Sequence, residues 1–316
     1  MQSSTFTIQA SDGKSLFVYR WMPDEDGGAA LPKKGLLHIS HGMAEHGGRY
    51  SRLAEALTRA GYVVQANDHR GHGKTAESDA DLGFFASSGG WARVVRDTAE
   101  ILARSQEDLG SMPVILFGHS MGSFVVQELM FERPDLASAV VLSGSNGKPS
   151  PIALAGRAIA RVERRRLGER GKSALIHGLS FGAFNKAFKA PRTAFDWLSR
   201  DEAEVDRYIA DPRCGFVCST SLWMDMLDAL PAIARPENLT KIRKDLPVYV
   251  VAGAEDPVSE RAKGLSRLVD AYRRAGLFRV TLKLYEGARH EIFNEVNRDA
   301  ITADLIGWLD KNAAAS

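Results

Sequence analysis

The segment Gly118-His119-Ser120-Met121-Gly122 constrains the fold of this chain more than any other. Residues 114–117 form an apolar run that predicts a buried strand, and residues 124–129 continue with helical character. A serine in so tight a strand-to-helix turn adopts a strained backbone and crowds its neighbours, so glycines two positions away are a steric requirement. The pattern predicts a nucleophile elbow. A glycine-flanked serine in an ordinary loop is the alternative.

Two later strand ends carry the residue types that activate such a serine. Residues 247–253 predict a buried strand followed by Asp256, and residues 280–285 alternate like a strand and lead to His290. The order Ser, Asp, His is the one that strand-turn-helix hydrolases use. His290 is the predicted base for Ser120, and Asp256 is predicted to fix its tautomer. Glu255 is the competing acid, and a helix cap is the structural alternative for Asp256.

An early strand is expected to supply the second half of an oxyanion hole. Residues 35–40 predict a central strand that ends at His41-Gly42-Met43. The backbone N–H of Met43 and that of Met121 are the expected donors, because such holes combine an early loop with the residue after the nucleophile.

The run from His41 to Tyr50, His-Gly-Met-Ala-Glu-His-Gly-Gly-Arg-Tyr, resembles the His-Gly-x-x-Glu-His-x-x-Arg-Tyr signature of monoacylglycerol lipases and related lysophospholipase-like α/β-hydrolases. Residues 68–73, 118–122 and 289–291 match the same family in the same order. The resemblance covers nearly the whole chain and is weakest in its centre. Position 43 departs from the family, because it is Met where the lipase commonly has a small residue.

The resemblance implies a serine carboxylic-ester hydrolase that acts through an acyl-enzyme on monoacylglycerol or lysophospholipid-like lipids. It implies Ser120, Asp256 and His290 as the catalytic triad and the two methionine N–H groups as the oxyanion hole. It places Glu45 near the polar end of the substrate pocket and gives Arg49 the role of bracing that loop. A Glu–Arg pair that merely fixes the loop is the structural alternative for these two residues.

No cofactor or metal site is predicted. His69 and His72 lie close in sequence, yet the residues around them do not provide a ligand set with zinc spacing. The run Asp68-His-Arg70-Gly-His-Gly instead predicts a turn held by an Asp68–Arg70 pair. Phosphate loops and dinucleotide fingerprints are absent from the sequence.

The 316 residues predict one large α/β-hydrolase domain with an inserted cap. A hairpin around Asp12-Gly13 provides an antiparallel N-terminal edge, and alternating strands and helices then predict a mostly parallel sheet with helices on both faces. The alternation stops near Ser145 and resumes near Leu246. The predicted core therefore comprises residues 1–145 and 246–316, and residues 146–245 form a helical lid.

The lid sequence suggests where specificity lies. Aromatic residues that include Phe181, Phe184 and Trp197 could line an acyl pocket or simply pack the cap, and Phe181 and Phe184 are the candidate substrate contacts beside Glu45 and Arg49. A helix over residues 152–166 sets Ile152, Ala155, Ile159 and Val162 against five arginines. It predicts either peripheral membrane contact or an ordinary solvated face.

The net charge of +2 gives no reason to expect a nucleic-acid partner. The sequence contains neither a signal segment after Met1 nor an apolar run of about 20 residues, which predicts a cytoplasmic protein with at most peripheral membrane association. Cys214 and Cys218 lie four apart on a predicted helix and are expected to be reduced thiols. Oligomeric state is not encoded in any recognisable pattern.

Three other functions fit parts of the pattern. The same triad would serve an acyltransferase that passes the acyl group to an alcohol, or a peptidase that cuts an amide. A peptidase acting at a free α-amine would need an acidic cluster. A non-catalytic ligand-binding protein on a hydrolase scaffold is the third alternative, although it would not need all three triad groups.

Overall fold

One eight-stranded sheet organises the chain, in the order β1-β2-β6-β5-β7-β8-β9-β10. The computed structural model describes residues 1–26, 29–30, 33–149 and 151–313, without the side chains of 25–26, 29–30 and 151–154. The strands are β1 (Gln2–Gln9), β2 (Ser15–Met22), β3 (Glu25–Asp26), β4 (Ala29–Ala30), β5 (Gly35–Ser40), β6 (Tyr62–Asn67), β7 (Val114–His119), β8 (Ala139–Ser143), β9 (Val248–Gly253) and β10 (Val280–Tyr285). Strands β3 and β4 form a separate two-stranded ladder.

The helices cover both faces of this sheet and fill the long connection between β8 and β9. They are α1 (Ser51–Arg59), α2 (Gly90–Leu109), α3 (Met121–Glu132), α4 (Pro151–Leu167), α5 (Ala174–Leu179), α6 (Phe181–Phe184), α7 (Glu202–Ala210), α8 (Thr220–Ala229), α9 (Pro236–Leu239), α10 (Lys263–Arg274) and α11 (Arg298–Asn312). The helices α4 to α9 lie within the connection, which corresponds to the predicted lid.

The sheet has the predicted mixture of strand directions. Strand β2 pairs antiparallel with β1 and β6, whereas the remaining neighbours are parallel. Every residue of β5, β6, β7, β8 and β9 is buried, as expected for parallel strands that are covered on both faces. The predicted α/β-hydrolase fold with an antiparallel N-terminal edge is confirmed.

Side-chain alternation along the central strands separates two hydrophobic layers. Leu36 of β5 belongs to the layer that includes Val125 of α3 and Leu268 of α10. The next residue, Leu37, belongs to the layer on the other face, with Leu53 of α1 and other residues of α1 and α11. The central strands therefore lie in a sheet that is packed on both faces.

The inserted helices share the hydrophobic layer of α3. Phe181, Trp197 and Trp223 are buried in the same cluster as Phe124 and Val125. The insert therefore packs directly on the core, next to the helix that begins at the elbow.

The helix predicted across Cys214 and Cys218 is wrong. Both residues lie in the irregular segment between α7 and α8, and both are free thiols. Gly215 adopts a left-handed conformation with φ of 68°, which ends any helical run at that point.

Candidate active site

Ser120 lies in a strained turn between β7 and α3. Its φ and ψ are 51° and −121°, in a region that non-glycine residues rarely adopt. A side chain at Gly118 would place its Cβ 2.6 Å from the carbonyl oxygen of Gly122, and one at Gly122 would overlap the carbonyl oxygen of Ser40. The two glycines are therefore sterically necessary, as the sequence pattern predicts for an elbow.

His290 and Asp256 form a buried pair. His290 Nδ1 lies 2.9 Å from Asp256 Oδ1, and the backbone N–H of Val258 donates to the same oxygen at 2.9 Å. Both residues are fully buried. Because a carboxylate only accepts, Nδ1 carries the hydrogen and Nε2 of the neutral ring is left as the basic nitrogen. The competing acid, Glu255, pairs instead with Arg261 at 3.2 Å on the surface.

The environment of His290 favours its protonated form. Burial lowers the pKa of His290, whereas the charge and hydrogen bond of Asp256, together with the charges of Glu291 and Glu45, raise it, and the resulting pKa lies above the usual value. The imidazole also packs against Trp197 and His119, with ring centroids 5.0 Å and 4.7 Å away. These contacts restrict the orientation of the ring.

The carboxyl end of β8 brings Ser120 and His290 to one place. The backbone N–H of Ser120 donates to the carbonyl of Ser143 at 2.9 Å. The next residue, Gly144, is so close to the imidazole that a Cβ there would lie 2.8 Å from His290 Cε1. Ser120 therefore contacts Ser143, and His290 lies against the following residue, Gly144, at the carboxyl end of β8.

The loop after β5 is held from two sides. The backbone N–H of His69 donates to His41 Nε2 at 3.0 Å, so the hydrogen of the neutral ring is on Nδ1, which donates to the carbonyl of Gly42 at 2.7 Å. The N–H of Gly42 donates to Glu45 Oε1 at 2.6 Å. Sequence reasoning missed this function of His41, because its partner lies 28 residues away.

These contacts orient the peptide unit that contains Met43 N–H. In a trans peptide the N–H of Met43 points opposite to the carbonyl of Gly42, and His41 holds that carbonyl. A Cβ at Gly42 would lie 3.2 Å from Ser120 Cβ, so this loop abuts the elbow. Among the described residues, no protein group accepts a hydrogen bond from the N–H of Met43 or of Met121. Both donors are thus available to a ligand.

Arg49 connects the two loops of the site. Its Nη1 donates to Glu45 Oε2 at 2.7 Å and to Glu291 Oε1 at 2.6 Å, while Nη2 donates to Glu291 Oε2 at 2.7 Å. Tyr50 donates its hydroxyl to Glu45 Oε1 at 2.9 Å. Burial raises the pKa of Glu291, whereas the charge and hydrogen bonds of Arg49, with smaller contributions from His119 and Asn294, lower it, and the resulting pKa lies below the ordinary value.

Four other buried histidines are held neutral. Burial lowers the pKa of His38 to about 4, that of His69 to about 3, that of His72 to about 4 and that of His119 to about 4. His69 Nε2 lies 3.1 Å from Ser40 Oγ, so it is part of a hydrogen-bond network beneath the loop that follows β5.

The predicted Asp68–Arg70 pair is wrong. Arg70 binds Asp12 and Asp97, each through two nitrogens. Asp68 instead accepts from the backbone N–H groups of Gly47 and Lys74 at 2.8 and 2.6 Å. The turn is therefore held by backbone donors, and Arg70 anchors it to elements distant in sequence.

A cavity of about 500 Å³ lies between α3 and the inserted helices. It is lined mainly by apolar residues, which include Phe124, Ile159, Leu179, Phe184 and Trp223. Phe184 also packs on Trp197, whose ring contacts His290. An aromatic chain therefore connects the cavity to the site. Phe181 is not among the lining residues and packs on Trp197 and Trp223 instead.

The surface of the insert near this cavity is partly apolar. Val162, Leu175 and Leu179 are each more than half exposed, and Leu179 also lines the cavity. The arginines of α4 are largely paired: Arg157 and Arg161 bind Asp228, Arg164 lies 3.8 Å from Glu169, and Arg166 binds Glu163. Ile152, predicted on the apolar face, lies outside the described side chains. The described helices include none that is long and apolar enough to cross a bilayer.

Comparison with known proteins places this arrangement among hydrolases. Residues 32–297 match the Hydrolase_4 family, described as "Serine aminopeptidase, S33". The monoglyceride lipase of Mus musculus is 29% identical over 309 residues, which cover 97% of this chain and 90% of the mouse protein. The monoacylglycerol lipase of Mycolicibacterium smegmatis is 30% identical over 293 residues, which cover 92% of this chain and 90% of that protein.

A solved structure extends the similarity to the fold. The thermostable carboxyl esterase of Bacillus coagulans, determined in complex with glycerol, superposes with a TM-score of 0.89. It is 25% identical in sequence, and the match covers 99% of this chain and 100% of the esterase.

Proposed function

The chain belongs to the Hydrolase_4 family and is a serine hydrolase similar to monoacylglycerol lipases, and on this premise we propose that it hydrolyses monoacylglycerols or lysophospholipid-like esters through an acyl-enzyme. The observation that carries the proposal is the convergence of an elbow serine, a buried His–Asp pair and two backbone N–H groups without an acceptor in the described part of the chain, all beside an apolar cavity.

In the proposed mechanism Ser120 Oγ attacks the ester carbonyl carbon and gives its proton to His290 Nε2. Asp256 stabilises the imidazolium that forms. The carbonyl oxygen becomes an oxyanion, and the N–H groups of Met43 and Met121 bind it. As the tetrahedral intermediate collapses, the C–O bond to the alcohol breaks and His290 donates its proton to the leaving oxygen. Water then repeats these steps on the acyl-enzyme and releases the carboxylic acid.

Arg49 supports an ester substrate over a peptide with a free amine. An aminopeptidase would need carboxylates that are free to bind an ammonium group near the nucleophile. Glu45 and Glu291 are both bound by Arg49, and Glu45 also accepts from Gly42 and Tyr50. We therefore assign Arg49 to bracing the loop, with Glu45 beside the polar end of the substrate pocket.

The apolar cavity supports an acyl chain as the part of the substrate that is recognised. Its volume of about 500 Å³ lies within the range of sites that enclose small ligands. Phe184 is the proposed wall residue, and Phe181 is proposed to support it, since their rings lie 6.2 Å apart. An acyltransferase would share these features, and the acceptor, water or an alcohol, distinguishes the two reactions.

Residues 146–245 are proposed to act as a lid on a core of residues 1–145 and 246–316. Because most arginines of α4 are paired with acids, we assign peripheral membrane contact to the exposed apolar residues beside the cavity. Replacing Val162 and Leu175 with Ser should therefore reduce turnover of esters in vesicles and spare a water-soluble ester.

A substrate panel tests the proposed specificity. The purified protein is assayed with p-nitrophenyl esters of graded chain length, monoacylglycerols, lysophospholipids and aminoacyl amides, each beside Ser120→Ala. Serine-dependent turnover that is highest on monoacylglycerols supports the proposal. Turnover of short activated esters alone would remove the lipid substrate. Preferred cleavage of amides would favour the peptidase alternative, and no serine-dependent turnover would favour a binding protein.

A further inference from the structure

His46, Asp211 and Cys214 form a cluster of potential metal ligands outside the catalytic triad. One ligand atom from each residue lies within 4.8 Å of the others, and His46 Nε2 is 2.9 Å from Asp211 Oδ2. An imidazole, a carboxylate and a thiol are together the ligand types that Zn²⁺ accepts. The sequence showed no zinc spacing because 165 residues separate His46 from Asp211.

We propose that these three side chains bind one Zn²⁺ ion, with water as the fourth ligand, and thereby join the oxyanion loop to the inserted segment.

The cluster is largely preorganised. The N–H of Arg213 donates to Asp211 Oδ1 at 2.8 Å, and the N–H of Cys214 donates to the carbonyl of Asp211 at 3.0 Å. The N–H of Gly215 in turn donates to the carbonyl of Ala44 at 2.9 Å, two residues before His46. Zn–N and Zn–S bonds of about 2.0 and 2.3 Å place tetrahedral ligands roughly 3.5 Å apart. The ligand atoms, which lie within 4.8 Å of one another, are therefore within little more than an ångström of that spacing.

The open side of the cluster allows entry and a water ligand. The side chains of His46 and Asp211 are 15% and 33% exposed, and Cys214 is partly exposed. Arg49 contributes a positive charge near the thiol, but its guanidinium is already bound by two carboxylates, Glu45 and Glu291. Asp211 adds a third carboxylate near the thiol.

Binding of one Zn²⁺ ion would release one proton to solvent. The Cys214 thiol loses its proton as the Zn–S bond forms. In the metal-free protein Nε2 of His46 carries the hydrogen that faces Asp211 Oδ2, so zinc binding through Nε2 moves this hydrogen to Nδ1, a buried atom that has no hydrogen-bond partner among the described residues. Because the thiol gives up its proton on binding, the affinity should increase with pH.

Calorimetric titration of the full chain with ZnCl₂, in a buffer that does not bind metals, tests the site. The wild type should bind one equivalent saturably, and Cys214→Ser should weaken binding by about 10-fold or more. Cys218→Ser is the matched control and should bind like the wild type. No saturable binding, or equal losses in the two cysteine variants, would overturn the proposal.

Substitution with Co²⁺ gives a readout independent of activity. A thiolate-to-cobalt charge-transfer band should appear in the wild type and be absent from Cys214→Ser. Wild-type protein that binds Co²⁺ without this band would exclude Cys214 as a ligand. If metal-free Cys214→Ser does not melt cooperatively, Asp211→Asn replaces it and should show the same loss of Zn²⁺ affinity.

Discussion

Arg49 donates to both carboxylate oxygens of Glu291, at 2.6 and 2.7 Å, and Glu291 directly follows His290. The same guanidinium donates to Glu45, whose other oxygen holds the N–H of Gly42. One buried cation therefore sets the spacing between the proposed base and the proposed oxyanion loop.

Replacing Arg49 with Lys should reduce kcat more than it changes KM. Lysine retains the charge but cannot form the bidentate contact with Glu291 while also binding Glu45. We expect kcat to fall by about 10- to 100-fold, since a small displacement of catalytic groups has effects of that size. Steady-state kinetics on a soluble ester measure it, with the exposed Arg59→Lys as control. Unchanged kcat in a folded Arg49→Lys variant would show that this spacing is not needed.

Two substitutions that replace a carboxylate with an amide, Asp256→Asn and Glu255→Gln, identify the acid of the triad. Asp256→Asn should lower kcat by up to about 10⁴-fold, because the amide can favour the wrong tautomer of His290. Glu255→Gln should leave kcat within a few-fold of the wild type, because Glu255 pairs with Arg261 at the surface. A larger loss in Glu255→Gln would contradict the assignment. Circular dichroism confirms that both variants are folded.

The value of kcat/KM should fall on the acid side of its pH profile, with a midpoint above pH 6.5. The reaction needs neutral His290, and Asp256 raises the pKa of His290 above its usual value despite burial. Activity should therefore increase through neutral pH and level off on the alkaline side. A limb with a midpoint below pH 6 would show that burial, rather than the carboxylate, dominates the pKa.

Stability should fall as the pH falls from 7 to 5. The folded protein holds His38, His69, His72 and His119 neutral, with pKa values of about 3 to 4, whereas histidines in the unfolded chain titrate near 6.5. The unfolded state thus binds more protons below pH 6.5, and each group removes about 2 kcal/mol of stability by pH 5. The shift of His290 has the opposite sign but belongs to one residue. Thermal unfolding at pH 7, 6 and 5 measures the effect, and a constant Tm would contradict it.

Local patterns in the sequence predicted the sheet and the elbow. A buried strand needs a continuous apolar run, and the tight turn at Ser120 needs glycine at positions 118 and 122. Both requirements concern residues that are close in sequence, so the sequence alone reveals them. The point where the alternation of strands and helices stops corresponds to the long helical connection between β8 and β9.

Contacts between distant segments could not be predicted in this way. Arg70 pairs with Asp12 and Asp97 instead of Asp68, and the His41 ring is fixed by a backbone N–H of the next strand end. The helix expected around Cys214 does not form, because Gly215 adopts a left-handed conformation and its N–H donates a hydrogen bond to the carbonyl of Ala44. In each case tertiary packing selected a partner that spacing does not reveal.

The role of Ser120 as nucleophile is tested by comparing hydrolysis of a monoacylglycerol by the wild type and by Ser120→Ala, with the released fatty acid quantified in one assay. The wild type should turn the substrate over, and Ser120→Ala should lose about 10³-fold or more of this activity with an unchanged melting temperature. Equal rates in the two proteins would show that Ser120 is not the nucleophile and would contradict the proposed mechanism.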